Sequence, residues 1–394
     1  MKGAALHHAL SQDQGPVRTS EVSFRRADPT SRILYVVGQL GLGGLERQLW
    51  YLLRTMDRSR YTPAVVVWNF SPDDRYVHEL RALGVPVCSF SAGTSRVVKL
   101  RSFRRLAAQL NPEVIHSYSF YTNFAAYWVG LHVKAVTLGS VRSDFIFDKM
   151  DADPWVGRLS ARWPRHQIFN SVSGAETAGR GGLFSPKQIY VVRNGLDLDR
   201  FRSVNRSAVG NVRIAGIGSL LHLKRWDRLL RIIQQVKQAG CECTMRLAGE
   251  GPERRSLEKQ AHDLGISSWV EFIGTTHDVP GLLEESRLLV HTSDTEGCPN
   301  VVMEAMACGR PVVATDVGDI PWLIDDGKNG FVVPRGDEAA FAERVVRLLC
   351  DEDLCHRMGL AARRKAEQEF GLGRLVRETL AAYRAAGWKD RPEQ

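Results

Sequence analysis

The stretch LLVHTSDTEGCPNVVMEAMACG, residues Leu288 to Gly309, decides the fold. Leu288-Leu289-Val290 is an apolar run of the length expected for a strand buried on both faces. A polar turn follows over Ser293 to Gly297. Pro299 suits a first helical turn, where its missing N–H would have no partner in any case. Val301 to Ala307 reads as a short helix, and Gly309 is placed to end it. Pro311 to Thr315 then gives a second buried strand. Strand, turn, helix and strand make half of a doubly wound unit. Such units bind ligands at the carboxyl ends of their strands, where helix N-termini direct free N–H groups at anions.

Two carboxylates flank the turn. Glu296 lies just before the helix, at the expected mouth of a cleft. Glu304 shares a helical face with Asn300, four residues earlier. Carboxylates beside backbone amides suit a ligand that carries both hydroxyls and phosphate. An isolated pair of glutamates would more simply be a solvated loop residue and a surface helix residue, so the context decides.

Outward from this stretch the chain alternates. Ile33–Val37 reads as a first strand running into GQLGLGGLERQL, where Gly38, Gly41, Gly43 and Gly44 crowd a strand-to-helix turn. Glycines there let a ligand approach the backbone at a helix N-terminus. Further strands are expected at Ala64–Trp68, Val85–Phe90, Val114–His116, Ala135–Leu138, Gln167–Asn170 and Ile189–Val192. After Asn194-Gly195 the pattern restarts, with strands at Val212–Gly218, Thr244–Ala248 and Val270–Ile273. Alternating strands and helices mean parallel sheets covered on both faces. Neither glycine loop completes G-x-G-x-x-G, and no Walker A sequence occurs, which speaks against a dinucleotide enzyme and a P-loop NTPase.

The segment EGCPNVVMEAMACGRPVVATDVG closely resembles the donor-site signature of glycosyltransferase family 4, retaining enzymes of the GT-B fold. Glu296 and Glu304 match its E-x7-E pair, and the resemblance runs less densely from about residue 33 onward. It implies an α/β protein of two Rossmann-like, doubly wound parallel-sheet domains facing a central cleft. Residues 1–30, polar and aperiodic, are expected to be a disordered or loosely held tail. Residues 31–198 form an acceptor-binding domain and 199–370 a donor-binding domain, and a terminal helix at about 371–388 crosses back onto the first.

The resemblance also implies roles. Glu296 would lie by the donor sugar, and Glu304 would hold the ribose of a nucleotide. Lys224, matching the lysine of the family's GR-x4-KG pattern, would face the diphosphate. Ser219 stands at the Arg position of that pattern and Arg225 at its second Gly, so Arg225 becomes a further candidate for the diphosphate. Amides around Gly43, Gly44, Gly297, Cys298, Pro299, Asn300 and Val301 would complete the donor site. On the acceptor side the candidates are His116, Tyr118 and Arg142; the residues alone leave open whether His116 or Tyr118 faces the cleft. Asp319 and Trp322 occupy positions where the commoner family form has a second Gly and a Glu. The implied reaction transfers a sugar, with retention, from a nucleoside-diphosphate sugar to a hydroxyl of a glycan or lipid-linked acceptor. A nucleotide-sugar epimerase or hydrolase, or a non-catalytic partner, are the alternatives.

No metal or other cofactor is expected. Asp151-Ala-Asp153, Asp197-Leu-Asp199 and Asp351-Glu-Asp353 resemble Asp-x-Asp metal motifs, but none follows a buried strand. The seven cysteines are odd in number, scattered and without C-x2-C pairs, which points to reduced thiols in a cytosol. The net charge of +9 belongs to the first half: residues 1–200 carry 26 Lys+Arg against 16 Asp+Glu, and the remainder 27 against 28. No nucleic-acid-binding signature accompanies it. Arg96 to Leu106 interleaves apolar and basic side chains, with Val97, Leu100, Phe103 and Leu106 expected on one face. A cytoplasmic enzyme in peripheral contact with the anionic inner face of the membrane is therefore a further expectation.

Overall fold

The computed structural model describes residues 17–19, 31–143, 145–151, 154–180, 182–202 and 213–390. Two sheets result from two rounds of alternation. The first contains β1 (Val17–Thr19), β2 (Ser31–Val37), β3 (Tyr61–Val67), β4 (Val87–Phe90), β5 (Val114–Ser117), β6 (Val136–Val141), β7 (His166–Phe169) and β8 (Gln188–Val191). Their spatial order is β1-β4-β3-β2-β5-β6-β7-β8. The second contains β9 (Arg213–Ile217), β10 (Thr244–Ala248), β11 (Val270–Gly274), β12 (Leu288–His291), β13 (Val312–Thr315) and β14 (Gly330–Val333), in the order β11-β10-β9-β12-β13-β14. All pairings are parallel except β1 on β4. This is the expected pair of doubly wound lobes. Strand order reverses between β2 and β5 in one lobe and between β9 and β12 in the other, so each lobe carries a switch-point crevice.

The central strands are apolar on both faces because helices cover both. Tyr35, Val37 and Val65 point into one core of the first lobe, and Leu34, Val36 and Val66 into another. Leu288 and Val290 likewise face one core of the second lobe, and Leu289 the other. β3 begins at Tyr61, earlier than the apolar run suggests, because it pairs in register with all seven residues of β2. The strand expected from Val85 begins at Val87, after Pro86, which has no N–H for a ladder.

Helix Leu372–Ala385 ends the fold on the first lobe, where Leu375, Leu380 and Tyr383 join its core. Trp388 extends that contact, its indole N–H donating to Glu113 at 3.0 Å. The tail expectation meets one correction: Val17–Thr19 forms the antiparallel edge strand β1. Residues 1–16 and 20–30 lie outside the described residues.

Helix Arg96–Leu110 packs through Phe103, Leu106 and Leu110. Val97 does not join them; it is 59% exposed, next to Val98 at 39%. Both fall in the first turn, ahead of the buried stretch that starts at Ser102. All seven cysteines are free thiols. Cys241 lies against Cys350, Sγ to Sγ 3.2 Å. Among the described residues no helix is long and apolar enough to cross a membrane.

Candidate active site

A cavity of about 440 Å³ opens between the lobes at the carboxyl ends of the central strands. On the second-lobe side, β12 ends at His291 and the chain turns through Glu296 into helix Asn300–Ala307. The turn nests tightly. Gly318 has φ +56°, and a Cβ there would come within 2.5 Å of the carbonyls of Glu296 and Gly297. A Cβ at Gly297 would strike Asn170 Oδ1 at 2.5 Å, so this glycine lets the two lobes approach.

Glu296 gathers three groups. Lys224 Nζ donates to its Oε1 at 2.5 Å and Ser293 Oγ at 2.8 Å, and His291 Nε2 lies 3.0 Å from the same oxygen. Burial alone would raise its pKa, but the Lys224 charge and the neighbouring His291 outweigh that and hold the carboxylate well below its usual range. Among the described residues all these contacts fall on Oε1, which leaves Oε2 for a ligand hydroxyl.

Glu304, 2% exposed, pairs through Oε1 with Arg47 Nη2 of the first lobe. Burial would lower the Arg47 pKa, and the Glu304 charge reverses the shift upward. Arg47 belongs to helix Gly44–Thr55. One position on, Gln48 donates to Asn300 Oδ1 at 3.1 Å; Asn194 donates to the same oxygen at 2.9 Å, and Asn300 Nδ2 donates to the Gly44 carbonyl at 3.3 Å. The two helices thus face each other with their polar residues matched in pairs. Gly44, Gly297, Cys298, Pro299, Asn300, Val301, Ser219 and Lys224 all line the cavity. Gly43 does not reach the wall; it precedes the helix as its N-cap, packed against Glu46.

Three other candidates are corrected. Arg225 faces away from the cavity: it begins helix Trp226–Gln238 in a left-handed conformation, its guanidinium bound by Asp227 at 3.0 Å and Asp294 at 2.7 Å. Two nearby carboxylates outcompete an open cleft for the cation. His116 and Tyr118 are fully buried, so neither faces the cleft. His116 Nδ1 lies 2.7 Å from the Tyr383 hydroxyl of the terminal helix and Nε2 2.8 Å from Ser140 Oγ. Burial, with the Arg142 charge, pushes its pKa well below the ordinary histidine value.

Arg142 does reach the cavity. Its guanidinium stacks on the Tyr118 ring, 4.1 Å from the centroid. All three guanidinium nitrogens are buried without a hydrogen-bond partner among the described residues. Unpaired buried donors of this kind are costly and mark a place for an anion.

Sequence reading passed over Arg47, Gln48, Asn194 and His291. Arg47 and Gln48 directly follow the glycine loop, so their helix register was available as a signal. His291 ends the very strand that opens the quoted stretch. Of the Asp-x-Asp segments, Asp197 pairs with Arg54 at 2.5 Å and Asp351 caps helix Glu352–Glu369 through the Leu354 amide at 2.8 Å. Asp153 lies outside the described residues. Among the described residues no group of three or more His, Cys, Asp or Glu is placed to hold a metal.

Comparison with known proteins bears on the same two walls. Residues 211–351 match the model for glycosyl transferases group 1, and residues 42–200 that for glycosyltransferase family 4. The chain is 32% identical to an N-acetyl-alpha-D-glucosaminyl L-malate synthase of Bacillus anthracis, over 42% of this chain and 44% of the relative. It is 30% identical to a putative colanic acid biosynthesis glycosyltransferase, WcaL, of Salmonella typhimurium, over 49% and 50%. The chain thus spans about half the length of these relatives. An alpha-maltose-1-phosphate synthase of Mycolicibacterium smegmatis is 28% identical over 69% of this chain and 78% of the relative. The crystal structure of Anabaena HepE in complex with UDP superposes with a TM-score of 0.76 at 20% identity, covering 90% of this chain and all of that one. That likeness concerns the fold. The two family models between them take in both walls of the cavity, from the loop at Gly43 to the helix carrying Glu304, and the chain is accordingly a member of glycosyltransferase family 4.

Proposed function

We propose that this protein is a retaining, metal-independent hexosyltransferase that moves a sugar from a nucleoside-diphosphate sugar to a hydroxyl acceptor in cell-surface polysaccharide or glycolipid synthesis. The observation that carries the reading is the ionised Glu296, beside Lys224 and His291, lining the same cavity as Glu304. Glu304 Oε2 accepts from a ribose hydroxyl, and Glu296 Oε2 from the donor sugar. Lys224 moves part of its charge from Glu296 to the diphosphate as the leaving group departs. The bond from the anomeric carbon to phosphate oxygen breaks, and the acceptor oxygen bonds to the same face of that carbon. The acceptor proton passes to the departing phosphate, so no protein nucleophile is needed. The neighbour with bound UDP also occurs as a UDP-glucose complex, which supports a uridine donor as the first to try.

Arg142 gives the acceptor side an unpaired cation, which fits an acceptor carrying phosphate or carboxylate. Exposed Val97 and Val98 beside Arg96 support a cytoplasmic enzyme touching an anionic membrane. Sedimentation with anionic vesicles at low and high salt checks this, and equal recovery in the supernatant with and without vesicles at low salt removes it.

The decisive experiment incubates isotope-labelled nucleotide sugars with and without acceptors, and reads the anomeric configuration of the product by NMR. Label transferred only when acceptor is present, unaffected by EDTA, supports the reading. Release of free sugar or of an epimer without acceptor points instead to a hydrolase or an epimerase.

A further inference from the structure

Two of the departures from the common family pattern, Asp319 and Trp322, meet the first lobe. Asp319 is 3% exposed. Its Oδ1 accepts from the amides of Val172 at 2.8 Å and Ser173 at 3.4 Å, at the N-terminus of helix Val172–Gly179. Its Oδ2 accepts from Arg193 Nε at 2.6 Å. The Arg193 guanidinium stacks on the Trp322 indole, 4.0 Å from the ring centroid. Trp322 in turn leans on Phe370, and its carbonyl accepts from Lys365 at 2.6 Å. Helix Val172–Gly179 and Arg193 belong to the first lobe, and Asp319, Trp322, Lys365 and Phe370 to the second. Arg193 immediately precedes Asn194-Gly195, where the chain crosses over.

Asp319 is also tied to the donor turn. Its amide donates to the Gly297 carbonyl at 2.9 Å, and the preceding Gly318 abuts the carbonyls of Glu296 and Gly297. One residue therefore grips a first-lobe helix terminus with its carboxylate and the Glu296–Gly297 turn with its backbone. A buried carboxylate is favourable there because a cation and two amides at the positive end of a helix meet it. Glycine, the commoner residue at this position, has no carboxylate to offer.

We propose that Asp319 is a positioning residue, an inter-lobe clamp that holds the cleft closed and sets the Glu296–Gly297 turn against the donor. Arg193 and Trp322 complete the clamp. Its coupling to donor binding rests on the reading of that turn as the nucleotide-sugar site.

The test compares D319A, D319N and W322A with the unaltered full chain. In the absence of donor, hydrogen–deuterium exchange over Val172–Gly174 and the radius of gyration by X-ray scattering report the clamp itself. D319A should speed that exchange and enlarge the radius, whereas D319N, which still accepts from the amides, should do so less. With donor, D319A should raise KM by about tenfold, the loss expected for one charge-assisted hydrogen bond, with a smaller change in kcat. Exchange and radius unchanged in D319A overturn the clamp. Opening without any change in donor KM overturns its coupling to the turn. An unaltered chain that turns over no nucleotide sugar fails the donor reading instead, and the exchange data still decide the clamp. Should D319A not fold, D319N and W322A provide the same readouts.

Discussion

Two histidines lie at the carboxyl ends of corresponding strands of the two lobes: His116, next to last on β5, and His291, last on β12, each strand beside the first core strand of its sheet. His116 lies between the Tyr383 hydroxyl and Ser140, kept neutral by burial. His291 lies 3.0 Å from Glu296, in the wall of the cavity. The two lobes repeat the same backbone and use its strand ends differently. In the first lobe the terminal helix brings Tyr383 over β5, which turns the strand end into core. In the second lobe nothing of the kind covers β12 among the described residues, and its end lines the cavity with Glu296 and Lys224. A polar residue at a strand end becomes structural or functional according to what packs on it.

The sharpest test of that contrast is on the second-lobe side. Lys224→Ala should lower kcat by about 10²–10³-fold, the scale for removing a charge aimed at a developing anion. Ser219→Ala, also on the cavity wall, should change it little. Near-unaltered turnover in the lysine variant would dissolve the distinction between the two strand ends.

His116→Ala should act on stability instead. It leaves the Ser140 hydroxyl and one contact of the Tyr383 hydroxyl unmet, at about 1–3 kcal/mol for each buried group. Urea unfolding measures this loss, and donor KM should be unchanged. A variant as stable as the unaltered chain but unable to turn over would return His116 to the active site.

His291→Gln is the smaller perturbation, because Lys224 and Ser293 still donate to Glu296. We expect a fall in kcat of about tenfold or less, the scale of one weakened polar contact to a charged group, with the urea midpoint unmoved. A shifted midpoint with normal kcat would make His291 as structural as His116.

The smallest effect is in pH dependence. The folded pKa of His116 is depressed below 6.5, so the unfolded chain takes up a proton that the folded chain refuses. Its contribution is thus fully present above about pH 6.5 and lost as pH falls below it, by at most about 1.4 kcal/mol per pH unit. Stability measured between pH 7.5 and 5.5 should fall less steeply in His116→Gln. Equal slopes in both proteins would show that His116 is protonated in the fold.

Much of the molecule was legible in the residues. Apolar runs of strand length, alternating with helical spacing, announced both lobes, and the break at Asn194-Gly195 separated them. Glu296, Lys224, Glu304 and Arg142 reach the cavity from positions read off strand ends and helix starts. Arg225 was less legible because its partners Asp227 and Asp294 satisfy it locally. His116 misled because a strand end looks the same in sequence whether a helix covers it or not.

By itself the sequence determined the two doubly wound lobes and the chemistry gathered near the switch points. Local periodicity and turn residues act over a few positions, and that range suffices for strands, helices and glycine loops. Only the tertiary structure decided which polar groups meet. Tyr383 reaches His116 across 267 positions and Arg47 reaches Glu304 across 257. Asp319, a departure without meaning along the chain, lies on a first-lobe helix 147 positions away. Such partners come together only when the terminal helix packs onto the first lobe and the two lobes meet, and that packing divides buried, satisfied groups from those left facing the cavity.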